Sequence, residues 1–120
     1  MPFLHVHSYT ALPAPEPETL ATLWAQRAGL RREDVCVTWR QHPDTAIGGG
    51  CDYALLAEVH APDLYRPERV ARLLESAAAL LAEHTGLPPR RLFVSFRPAH
   101  SGEVLDGGRL LHWDPETDDA

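Results

Sequence analysis

The chain has no apolar run near the roughly 20 residues that span a bilayer, so the sequence predicts no transmembrane helix and no membrane partner. Its first residues lack the charged-then-apolar layout of a signal peptide, and the expected compartment is the cytoplasm. No Lys/Arg cluster faces one way and the formal net charge is −6, which argues against nucleic-acid binding. Cysteine is scarce: Cys36 and Cys51 are too few for a disulfide framework, and no CxxC or ligand-spaced Cys/His set occurs. Both are read as reduced thiols, Cys36 as a buried one. "GGGC" is no phosphate loop, because no helix with Gly-Lys-Ser/Thr follows it. Nothing in the sequence asks for a cofactor.

What is present fits one domain. At 120 residues the chain is long enough to bury a modest core. A single domain is expected over residues 1–113, with residues 114–120 an acidic, apolar-poor tail expected to fray. "PFLHVHS" alternates, with Leu4 and Val6 on one face and Phe3, His5 and His7 on the other. A proline-rich loop ends at Pro17, well placed for a helix's first turn. Leu20, Leu23, Trp24 and Ala28 then follow helical spacing up to Gly29. "DVCVTWRQ" and "DYALLAEVH" read as strands separated by the loop "HPDTAIGGGC". Pro67 opens a longer helix with Val70, Leu73, Leu74, Ala77 and Leu81 on one stripe, closed by Gly86. "RLFVSFRP" is a further strand, and "VLDGGRLLHW" a hairpin about Asp106-Gly107-Gly108.

The order is β-α-β twice, then a hairpin. "GLRREDVCVTWR" and "GLPPRRLFVSFR" share Gly-Leu at the helix end and a similar following strand, so the two units read as copies, each with a right-handed crossover. The predicted fold is α/β (α+β): a four-stranded mixed sheet, two helices on one face, and a C-terminal hairpin. The apolar face carries Leu4, Val6, Val35, Val37, Trp39, Leu55, Val59, Leu92, Val94 and Phe96. The other face carries His5, His7, Cys36, Thr38, Arg40, Glu58, His60, Phe93, Ser95 and Arg97. It is either wet, or set against other subunits or a site.

Pro2 behind Met1, the first strand, the doubled unit, "VCVTWRQHPDTAIGGG" and "GLPPRRLFVSFRPAHSGEVLDGGRLLHW" together resemble the tautomerase superfamily. Its type members are 4-oxalocrotonate tautomerase and macrophage migration inhibitory factor. The second half is most similar to the longer members, such as cis-3-chloroacrylic acid dehalogenase and malonate semialdehyde decarboxylase. The resemblance implies a homotrimer with helices outside, a small carboxylate substrate, and Pro2 as the reactive group after removal of Met1. A secondary amine in an apolar pocket has its charged form disfavoured, so its pKa falls and it can act as a general base; left high, it is a general acid.

The resemblance places further residues. Asp106 stands where the dehalogenase-like members have a water-activating glutamate, although Asp-Gly-Gly is also a good hairpin turn. Arg66 lies where such members keep substrate-carboxylate arginines, and Ala61 stands where a second is expected. Arg97 is a candidate replacement, since its planar fork binds both carboxylate oxygens. Phe93 and Ser95 occupy positions where the inhibitory-factor group has tyrosine and asparagine lining the proline pocket. Trp113 caps that pocket or simply packs the hairpin. Two rivals stay open. One is a metal site on His5, His7, His60 and Glu58. The other is a non-catalytic ferredoxin-like or tautomerase-fold oligomer that binds a small ligand.

Overall fold

The computed structural model describes residues 2–13, 15–42 and 52–116. The predicted loop at 43–51, with Cys51, and the end of the acidic tail at 117–120 lie outside the described residues. The elements are β1 (Phe3–Ser8), α1 (Pro17–Ala28), β2 (Cys36–Gln41), β3 (Leu55–Pro62), α2 (Pro67–Thr85), β4 (Leu92–Ala99), β5 (Val104–Asp106) and β6 (Arg109–Leu111).

Local chemistry sets the element bounds. Proline occupies the first turn of both helices, where its missing N–H costs nothing. Both helices end on a left-handed glycine, Gly29 at φ 70° and Gly86 at φ 74°. At Gly29 an added Cβ would also sit 3.3 Å from the Arg72 guanidinium, which donates to the Arg27 carbonyl. After each glycine a short 3₁₀ turn leads into a strand, Arg32–Asp34 before β2 and Pro89–Arg91 before β4. The internal repeat therefore extends to the connections.

The main sheet runs β2-β1-β3-β4. β1 is parallel to β2 and antiparallel to β3, and β3 is parallel to β4. In the ferredoxin-like arrangement the parallel strands of each unit are split by another strand. Here they are immediate neighbours, so topology removes the ferredoxin-like form of that rival.

One sheet face is covered. Leu4, Val6, Leu55, Ala57 and Val59 are buried there against Leu20, Trp24, Leu73, Ala77, Leu80 and Leu81 of the helices. Trp24 is fully buried, and its indole N–H donates to the Leu73 carbonyl at 3.2 Å, joining α1 to α2. The other face is ordered in cross-strand rows: Cys36–Phe3–His60–Arg97, then Thr38–His5–Glu58–Ser95, then Arg40–His7–Leu56–Phe93. Cys36 is exposed, contrary to the expectation of a buried thiol. Strand alternation puts it on the uncovered face, and β2 is an edge strand, so none of the described residues covers it.

Candidate active site

The topology gathers one end of the sheet. Because β3 runs antiparallel to β1 and parallel to β4, the start of β1 lies beside the ends of β3 and β4. The hairpin β5–β6 returns to the same end. Together they line a partly open cavity of about 420 Å³. Its apolar wall comprises Phe3, Ala61, Pro62, Ala99, Val104, Leu105, Leu111 and Trp113; its titratable groups are His60, Asp106 and His112.

Pro2 is fully buried, and its carbonyl accepts the Cys36 N–H at 3.1 Å, pinning the chain start to β2. Continuing the β1–β3 register by one residue sets Pro2 opposite Ala61, a cavity-wall residue. Pro2 itself is not among the wall residues; its neighbours Phe3 and Ala61 are. Asp106 lines the cavity from the hairpin, where Gly107 and Gly108, both at positive φ, make the turn.

Arg97, Ser95, Phe93 and Arg66 are not among the residues that line this cavity. Arg97 shares the cross-strand row of Phe3 and His60, and its guanidinium is 3.7 Å from the Glu58 carboxylate. Ser95 pairs with Glu58 one row further along. Phe93 is two rows away, half-exposed, with its ring edge-on to Tyr53 at 5.6 Å. Arg66 precedes α2; its Nε donates to Glu68 at 2.6 Å and its backbone N–H to Glu116 at 3.1 Å. Glu116, a residue of the acidic tail, also donates its own N–H to the Leu64 carbonyl at 2.7 Å.

The two histidines of β1 are held separately. His5 Nδ1 lies 2.7 Å from Thr38 Oγ1, whereas His7 Nδ1 lies 2.9 Å from His42 Nε2. The His5 pKa is lowered, first by burial and then by the charge of His60, against an opposing effect of Glu58. Among the described residues no group of three or more His, Cys, Asp or Glu is arranged to hold a metal ion.

Sequence reasoning missed His112 and gave His60 only a metal-binding role. Alternation placed His60 on the correct face. That it meets the hairpin depends on a long-range return of the chain, which no local signal encodes.

No protein-family model matches the chain. No curated protein matches it. Solved structures do. A fused 4-OT, wild type, in a symmetric trimer superposes with a TM-score of 0.73 at 18% identity, covering 91% of this chain and 94% of that one. N1, a member of the cis-3-chloroacrylic acid dehalogenase (cis-CaaD) family, gives a TM-score of 0.74 at 19% identity over 98% and 87%. Macrophage migration inhibitory factor from Oncomelania hupensis gives 0.73 at 16% identity over 93% and 98%. The chain has the tautomerase-superfamily fold. At these identities the shared feature is the architecture, and one fold hosts many chemistries. Among the described residues no helix is long and apolar enough to cross a membrane.

Proposed function

We propose that this chain is an acid–base enzyme of the tautomerase superfamily. It acts as a homotrimer on a small 2-oxo, enol or unsaturated carboxylate. The observation that carries the reading is the convergence of the β1 start, Ala61, His60 and Asp106 about one small, mainly apolar cavity in a chain of this fold. Pro2, freed by removal of Met1, is the acid–base group. Pro2 is buried, and in a buried position the ammonium form of an amine is disfavoured, which suits it to proton transfer. In ketonisation it takes the enol proton and returns a proton to carbon. Asp106 is the second acid–base group or orients a water.

Substrate binding falls to arginine. Arg97 is the nearer candidate by register, and Arg66 is the other. In a trimer, Phe93 and Ser95 of one protomer serve the cavity of a neighbour, which accounts for their distance from Pro2 within one chain. Apolar walls and Ala61 in place of an arginine favour an enol or 2-oxo acid with an apolar tail, such as phenylenolpyruvate, over a chlorinated acrylate.

A solved tautomerase-fold structure, Pt0534, is described as inactivated by 2-oxo-3-pentynoate; it superposes at a TM-score of 0.76 with 16% identity over 91% and 94% of the two chains. An acetylenic 2-oxo acid is an electrophile that a neutral amine attacks. The same reagent is expected to label this protein once, on Pro2, as read by peptide mass spectrometry, with loss of turnover. Labelling elsewhere, or a retained Met1 in active protein, would exclude the mechanism. Light scattering is expected to give three times the chain mass of 13.3 kDa. A monomer at assay concentration would remove the shared-site part of the proposal.

A further inference from the structure

Asp63, one residue past β3, reaches the cavity through another side chain. Its backbone N–H donates to the Ala99 carbonyl at 2.8 Å, tying it to the end of β4. Its Oδ1 accepts the indole Nε1–H of Trp113 at 2.8 Å, and its Oδ2 lies 2.8 Å from His100 Nδ1. The Trp113 backbone N–H donates to Ser101 Oγ at 2.9 Å, so both the ring and the main chain of Trp113 are held. Trp113 lines the cavity.

An indole has a single N–H donor, so its one hydrogen bond fixes how the ring turns. A carboxylate held at both oxygens cannot rotate without losing a partner. We propose that Asp63 is a positioning residue: with His100 orienting it, it holds the Trp113 ring as a wall of the cavity and so sets the space for the apolar part of the substrate. This inference rests on the acid–base reading above for its kinetic consequence, but not for its structural one.

The charges facing this cluster are consistent with a clamp. The Asp63 carboxyl lies below its ordinary range, chiefly because His100 and then Trp113 donate to it. The His100 ring titrates above its ordinary value, chiefly through Asp63, with Glu103 adding in the same direction. The histidine part is therefore fully present below the ordinary histidine pKa and fades as pH rises through the raised one. The carboxylate part is present above the ordinary Asp pKa and fades as pH falls through the lowered one. The clamp is tightest in mildly acidic solution.

The test uses the full chain carrying 5-fluorotryptophan, with the Trp113 resonance assigned by Trp113→Phe. Asp63→Ala is expected to shift and broaden that resonance. It should also raise KM for phenylenolpyruvate about tenfold, the scale of one lost hydrogen bond, with kcat little changed. Asp63→Asn keeps an acceptor for the indole, so it should restore the resonance and most of the KM while lowering the His100 pKa from its raised wild-type position. An unmoved Trp113 resonance in folded Asp63→Ala would overturn the proposal. If the wild-type protein shows no turnover, the enzymatic reading fails, and the fluorine resonance alone decides whether Asp63 positions Trp113.

Discussion

Replacing Pro2 with alanine is expected to lower kcat/KM for ketonisation of phenylenolpyruvate by about 10²–10⁴-fold, the usual contribution of a general acid–base group. The proline ring removes a rotation that an alanine amine regains, so the nitrogen of the variant no longer points one way. The Cys36 N–H bond to the carbonyl of residue 2 is a backbone contact and survives the change, so the strand start should stay in place. Circular dichroism should accordingly match wild type, and the loss should appear in kcat. Equal rates in the two proteins, with Met1 removed from both by mass spectrometry, would sink the proline mechanism.

The largest effect on stability is expected at Trp24. The side chain is fully buried between α1, the sheet and α2, and its indole N–H is satisfied by the Leu73 carbonyl. Trp24→Ala removes the bulk that joins the two helices and leaves a cavity that the surrounding structure closes only in part. The expected cost is about 3–5 kcal/mol, the range for large aromatic-to-alanine changes in cores. Trp24→Phe keeps most of the packing and loses the hydrogen bond, so its cost should be clearly smaller. Both are read from urea midpoints at one fixed protein concentration, because assembly would couple stability to concentration. A Trp24→Ala variant within about 1 kcal/mol of wild type would contradict the assigned core.

Much of the fold was legible locally. Period-two alternation assigned both faces of all four main strands, and the cross-strand rows hold the residues it named. Proline and glycine marked the ends of both helices because each acts on the backbone within a turn. The Gly-Leu repeat disclosed two equivalent units. These signals are short-range, so the sequence alone determined them.

The site was legible only in part. Pro2, Asp106 and Ala61 were singled out through resemblance; that Ala61 and Asp106 line one cavity, with Pro2 opposite Ala61, comes from register and the hairpin's return. Cys36 was expected inside and lies outside, because burial depends on which element covers a face, not on residue type. The Asp63–Trp113 and Asp63–His100 contacts join positions far apart in sequence. Alternation and capping determined what each residue presents and where each element stops. The tertiary structure decided which of those faces meet, because chain ends, strand ends and hairpin converge only once the sheet order is set.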